Sequence, residues 1–195
     1  VSGLGTVLAA LARDLDDAGA PWAVVGGLAV SVRATPRFTS DVDVAVAVAD
    51  DAGAEAVVRA LLGAGYRLEA IVEQQALGRL ATVRLRPPGA SSFLVDLLFA
   101  TSGVEGRVVG AATFEQVLGQ QLPVATVGHL VVMKLLSVGP GRAKDQVDLD
   151  ALALCLDAEE VARARAAAAD LTARGFQRGR DLVGALEAWL AAQAP

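Results

Sequence analysis

A mixed α/β (α+β) architecture, a β-sheet flanked by helices and followed by an all-helical C-terminal region, is what these 195 residues predict. Three observations carry that expectation. Short apolar runs bounded by Gly and Pro alternate with amphipathic helical stretches as far as Pro123. One of these runs, from Asp41 to Val48, alternates with period two, as a strand with one packed face does. Beyond Pro123 four stretches of helical period follow one another.

The elements follow in order. Leu4, Val7, Leu8, Leu11 and Leu15 recur at helical spacing and Gly19-Ala20-Pro21 stops the pattern, which predicts a helix over 4–18. Trp22 to Val25 reads as a short buried strand. Leu28 to Arg33 reads as a short helix that ends before Thr35-Pro36, because the residue preceding proline is driven out of the helical region. A polar loop runs to Ser40. In the next strand Val42, Val44, Val46 and Val48 form a packed face, with Asp41, Asp43, Ala45 and Ala47 on an open one. A helix over 54–62 closes at Gly63 and Gly65. Strands are expected over 66–72, 81–86 and 92–99, the last two joined through Pro87-Pro88-Gly89-Ala90. Helices are expected over 127–136, 145–156, 158–174 and 179–192. The chain therefore divides into an α/β core over 1–127 and a helical region over 128–195, with no flexible linker between them.

Composition narrows the chemistry. The apolar fraction is 54%, but charges interrupt it everywhere, and no run approaches the roughly 18 to 20 residues of a membrane-spanning helix. Arg13, Asp14, Asp16 and Asp17 lie in the first helical pattern, which is unlike a signal peptide, so a cytoplasmic location without membrane attachment is expected. One cysteine, Cys155, and one histidine, His129, exclude an intrachain disulfide and a Cys/His zinc site. Any metal must be held by oxygen. Both residues read as structural, Cys155 as a small buried apolar group and His129 as a core or helix-terminal histidine. A net charge of −5 argues against a broad nucleic-acid footprint and leaves room only for a local basic groove. The arginines at 163, 165, 174, 178 and 180 read as a solvated helical face, and as the one place where an acidic chain would meet RNA or a partner.

Asp41 and Asp43 stand at i and i+2 of a strand and so project to one side, where they repel each other unless a cation intervenes. Hard carboxylate oxygens and phosphate are the surroundings Mg²⁺ prefers. Asp96 lies in the apolar stretch Phe93 to Phe99, where an ionised group needs a partner. Two partners are open to it: a metal shared with Asp41 and Asp43, which would make a three-carboxylate cluster able to hold two metals for in-line displacement at phosphorus, or an arginine such as Arg84 in a structural bridge. Gly26-Gly27 falls at a strand-to-helix turn, where missing Cβ atoms and a helix N-terminus suit phosphate. Arg33 and Arg37, in the segment that follows, are further phosphate ligands to expect.

The ordered set Gly26-Gly27, Asp41-x-Asp43 and Asp96 resembles the DNA polymerase beta-type nucleotidyltransferase superfamily. The stretch from Leu122 through His129 to Lys134, followed by Gly141-Arg142-Ala143-Lys144-Asp145-x-x-Asp148, is similar to the lysine helix and the following segment of the AbiEii/AbiGii-type toxin nucleotidyltransferases. The resemblance spans roughly 20–155 and implies the nucleotidyltransferase fold. It also implies an NTP-dependent transferase passing an NMP to an acceptor hydroxyl, with tRNA as an acceptor and an antitoxin protein as a partner. On the same ground Asp41, Asp43 and Asp96 would hold two Mg²⁺ ions, with Asp96 alternatively acting as the base. Lys134 would contact the nucleotide's phosphates. Gly26, Gly27, Arg37, Lys144, Asp145 and Asp148 would complete the nucleotide site. An antibiotic- or protein-modifying adenylyltransferase, or a non-catalytic interaction module keeping the fold, fits the same residues.

Overall fold

The helical period starting at Leu4 produces α1 (Gly3–Asp17), which buries Val7, Leu8, Leu11 and Leu15, and the turn after it admits β1 (Trp22–Val25), buried throughout. In chain order there follow α2 (Gly26–Arg33), β2 (Asp41–Val46), α3 (Asp51–Gly63), β3 (Arg67–Gln74), β4 (Arg79–Arg86), β5 (Leu94–Leu98), α4 (Glu105–Gly110), β6 (Thr113–Val117) and β7 (Gln120–Val124). Four helices complete the chain: α5 (Val127–Ser137), α6 (Ala143–Ala153), α7 (Ala158–Ala173) and α8 (Leu182–Ala192). These come from a computed structural model that describes residues 3–74, 79–89, 92–99, 103–137 and 143–193.

The strands make one mixed sheet in the order β3-β4-β5-β2-β1-β7-β6. β2 runs antiparallel to β1 and parallel to β5, and β4 is antiparallel to both β5 and β3. The β3–β4 register breaks twice, between Leu68 and Ala70 and between Val72 and Glu73. The predicted fold class is therefore the one found. The helical part packs onto the sheet part, with α2 touching both α5 and α6, and a single apolar cluster draws residues from Val7 to Leu186.

Three elements differ from expectation. α4, β6 and β7 carry none of the signals used above. β6 is mostly exposed and polar, and β7 contains Pro123, which lacks a donor for the ladder and weakens a strand reading. Their hairpin closes through Leu118 and Gly119, both at positive φ, the backbone of a tight primed turn. The open face expected along β2 is also shorter than predicted. Ala45 is fully buried, so that face narrows to Asp41 and Asp43. The strand predicted from Ser92 begins at Leu94, and Ala90 of the expected turn lies outside the described residues.

The α5–α7 contact depends on the absence of a side chain at Gly128. Its N–H donates to Glu160 Oε2 at 2.6 Å, and a Cβ there would lie 2.3 Å from the Glu160 carbonyl oxygen. Gly128→Ala is expected to cost about 1–3 kcal/mol of stability through overpacking, read from the urea midpoint at unchanged slope.

Candidate active site

The site begins where β1 becomes α2. Val25, the residue before α2, is extended and provides no side-chain cap, so the first amides of the helix need another acceptor. Asp43 fills that role. It lies opposite Val25 in the β1–β2 ladder, and its carboxylate takes a hydrogen bond from the Gly27 backbone. Gly26 sits at φ +63°, and a Cβ on it would fall 2.0 Å from Asp43 Oδ2. Only glycine satisfies both the backbone and the contact. A Cβ on Gly27 would meet Arg37 Nη2 at 2.5 Å. The two glycines thus admit a carboxylate on one side and a guanidinium on the other.

The ladders align one row of residues across four further strand positions. Val25 on β1 faces Asp43 on β2, Asp43 faces Asp96 on β5, Asp96 faces Arg84 on β4, and Arg84 faces Ala70 on β3. Neighbours in such a row share a face of the sheet and lie about 5 Å apart. Asp41 joins the same face two residues before Asp43. Burial, then the neighbouring Asp96, and then Asp41 push the Asp43 carboxyl from the ordinary 3.8 up to about 6, against the pull of Lys134 and the Gly27 amide.

Asp96 takes the arginine partner. Arg84 Nε reaches Asp96 Oδ1 at 2.7 Å and Nη2 reaches Oδ2 at 2.6 Å, a bidentate bridge over a carboxylate that is 8% exposed. Among the described residues no three acidic, His or Cys groups are disposed as a metal cluster, and both oxygens of Asp96 are engaged by Arg84. Asp41 and Asp43 are the carboxylates left facing the diglycine turn.

Below them lies an ion network that joins distant parts of the chain. Arg37 Nε and Nη2 bind the two carboxylate oxygens of Asp148 at 2.6 and 2.9 Å. Lys134 Nζ lies 2.8 Å from Asp145 and 2.7 Å from Asp148. For Lys134, burial alone would lower the ammonium, but the hydrogen bonds it donates to Asp145 and Asp148 outweigh it and the net direction is up. For Asp148, burial pushes up, and Arg37 and Lys134 pull harder in the other direction. Asp145, Asp148, Leu149 and Leu152 occupy one face of α6 and are all buried. That face is the cue in the sequence that these two acids are interior. The Arg37–Asp148 pairing, 111 residues apart, had no local signal.

The remaining predicted residues are placed as follows. Lys144 is exposed and edges a cavity of about 310 Å³ with Arg37, Phe38 and Val147. Arg142 lies outside the described residues. Arg33 is tied to the carbonyls of Val124 and Ala125, at 2.7 and 2.9 Å, and to Glu115, so it clasps α2 to the β6–β7 hairpin. His129 is buried against Thr126 Oγ1 at 2.8 Å, and burial, followed by Arg163 and Arg107, lowers it to about 4. It is a neutral core histidine. Cys155 is partly rather than fully buried, packed against the core. Three of the C-terminal arginines pair with acids of their own region, Arg163 with Glu159, Arg165 with Glu187 and Arg174 with Asp170. That face is neutralised from within.

The structure thus sets a diglycine turn at the start of a helix against an aspartate of a D-x-D strand, with a third aspartate on the adjacent strand. A family model described as nucleotidyl transferase AbiEii toxin, Type IV TA system, matches residues 9–189. The chain belongs to the AbiEii nucleotidyl transferase toxin family. Solved structures agree with this at the level of fold. The MenT4 nucleotidyltransferase toxin from Mycobacterium tuberculosis is 16% identical with a TM-score of 0.50, over 98% of this chain and 92% of that one. An antigenic nucleotidyltransferase-like protein from Paracoccidioides brasiliensis is 23% identical with a TM-score of 0.52, over 95% and 92%. The resistance factor ANT(2″)-Ia, in complex with adenylyl-2″-tobramycin, is 12% identical with a TM-score of 0.54, over 99% and 100%. No curated protein sequence matches the chain. As an AbiEii-family nucleotidyltransferase it transfers a nucleoside monophosphate from an NTP. Among the described residues no helix is long and apolar enough to cross a membrane.

The raised Asp43 carboxyl makes stability depend on pH. Its folded value, about 6, lies above the ordinary 3.8, so the folded chain binds the proton more tightly and gains stability as pH falls through that window. The gain is complete below about 4 and is lost above about 6. Asp148, whose carboxyl is lowered, contributes in the opposite sense and at more acid pH. Without divalent cations, wild-type stability is expected to rise by about 1–3 kcal/mol from pH 7.5 to pH 5. Asp43→Asn should flatten that rise, as followed by denaturant midpoints across the range.

Proposed function

We propose that the AbiEii-family chain uses Mg²⁺ to transfer an NMP from an NTP to an acceptor hydroxyl, with tRNA as the acceptor and an antitoxin protein as its cellular counterpart in the cytoplasm. The observation that supports this best is the row running from the diglycine turn through Asp43 to Asp96. In it a phosphate cradle, a cation-seeking carboxylate pair and an acceptor-side carboxylate are adjacent on one sheet face.

The acceptor oxygen bonds to the α-phosphorus while the bond to the bridging oxygen of the β-phosphate breaks. Pyrophosphate leaves and the acceptor hydroxyl gives up its proton. Gly26 and Gly27 let the donor's phosphates approach the N-terminus of α2. Lys134, already fixed by Asp145 and Asp148, carries the positive charge that offsets charge gathering on the leaving phosphates. Arg37, beside Gly27, shares a cavity with Lys144, and Asp145 and Asp148 act through the cations they hold. Asp96, steadied by Arg84, faces the acceptor side, where it orients the hydroxyl or accepts its proton.

The residues suit magnesium. Asp41 and Asp43 are hard oxygen donors on one face, and the raised proton affinity of Asp43 reflects burial first and then the like charge of Asp96 and Asp41, which a cation would relieve. Two ions held there would neutralise phosphate charge and polarise the reacting phosphorus. The α/β core over 1–127 would carry this chemistry, and the helical region over 128–195, which begins with α5, would supply Lys134 and close the cleft.

Incubation of the chain with each labelled NTP and Mg²⁺, in separate reactions with total tRNA, with aminoglycosides and with no added acceptor, tests the reading. Label is expected in the tRNA fraction. Label in an aminoglycoside or in protein would replace that acceptor, and no label anywhere would overturn nucleotidyl transfer. Asp43→Ala is expected to reduce transfer by about 10²-fold or more while the circular dichroism spectrum stays unchanged.

A further inference from the structure

In-line displacement puts the attacking and leaving oxygens on opposite sides of the phosphorus. The transverse row has a donor end, where Gly26, Gly27 and Lys134 gather around Asp43. Its other end runs through Asp96 to Arg84 on β4 and Ala70 on β3. If the pyrophosphate departs on the diglycine side, the acceptor enters over β5, β4 and β3.

Three arginines lie there, two of them paired with acids, in a chain whose net charge is −5. Arg84 spends Nε and Nη2 on Asp96 and keeps a 42% exposed side chain. Arg86, two residues along β4, shares its face and is half-covered by Glu69, at 2.6 Å. Arg67 stands opposite Arg86 on β3 and is exposed. This side of the sheet also presents Thr82, in register with Leu98 and Val72. A guanidinium next to the acceptor-side carboxylate, followed by two more along the strands, fits an acceptor that carries phosphates beside its hydroxyl.

We propose that Arg84, with Arg86 and Arg67, forms a track for the phosphate backbone of a polynucleotide acceptor, Arg84 contacting the phosphate nearest the reacting hydroxyl. This rests on the reading of the chain as a transferase with the donor at the diglycine turn. Arg84 then has two partners: Asp96, which it steadies, and the acceptor, which it binds.

The test separates these two tasks by removing the first. Binding of deacylated unfractionated tRNA is measured by fluorescence anisotropy at several salt concentrations for Asp96→Asn and for Asp96→Asn combined with Arg84→Gln. If Arg84 serves only to balance Asp96, the two variants bind alike. The track predicts that the double variant binds about tenfold more weakly and that its log affinity against log salt is shallower by roughly 0.7 to 0.9, one phosphate contact. Affinity for NTP with magnesium should be equal in the two. Arg165→Gln, on α7 and paired with Glu187, should bind tRNA as the wild type does.

Equal affinity and equal salt dependence for the pair of variants would overturn the track. So would labelled transfer by wild type to a protein or small molecule with no tRNA binding, although NMP transfer itself would then stand. Arg84-dependent tRNA binding with no transfer to any acceptor would support the track and sink the transferase reading.

Discussion

The alignment of Val25, Asp43, Asp96 and Arg84 across four strands is the constraint on which the rest of the site depends. Strand side chains alternate, so a slip of one residue in any of these ladders would send its member to the opposite face. The packed faces resist such a slip, since Val42, Val44, Val95 and Leu97 are all fully buried. Apolar packing on one side of the sheet therefore fixes the polar chemistry on the other. The charge pattern follows from the same register. Asp43 is driven toward protonation by burial and then by its neighbour Asp96, whereas Asp96 has Arg84 on its other side and is bridged.

The second support is the network of Arg37, Lys134, Asp145 and Asp148. Two cations and two anions close on one another, and Asp148 is 1% exposed. Removing water from these groups costs several kcal/mol each, which mutual pairing offsets, and loss of one partner would leave a buried charge alone. The network ties the loop before β2 to α5 and α6, so β2 starts from a point anchored to the helical region. Arg33, the last residue of α2, anchors that end of the helix to the β6–β7 hairpin. At its first turn the Gly27 amide is held by Asp43.

Much of this was legible in the chain. Period-two alternation located β2 and the shared face of Asp41 and Asp43, and an acid in the apolar β5 announced that Asp96 needed a partner. Which partner was a question of strand order, and neighbouring strands in this sheet are not all consecutive in sequence. Arg84 was one of the partners open to it, and the β4–β5 ladder sets that arginine beside it. Arg37, expected beside phosphate, is held by Asp148, a contact that only tertiary packing of α6 creates. The β6–β7 hairpin escaped notice because exposed polar residues and a proline mask a strand whose pairing is supplied by its neighbours rather than by its own propensity.

At the outer margin of the sheet, the two register breaks of the β3–β4 hairpin govern how the molecule behaves among its own copies. β3 is a terminal strand, and Leu68, Ile71 and Val72 stand exposed along it. A long even margin of this kind templates strand addition from another molecule and then polymerisation. Each break throws part of the free amide and carbonyl row out of phase, so an incoming strand meets no continuous ladder. Arg67 and Glu69 place opposite charges on the same stretch. Colloidal restraint is in this way written into the backbone of one hairpin, with no helix needed to cover it.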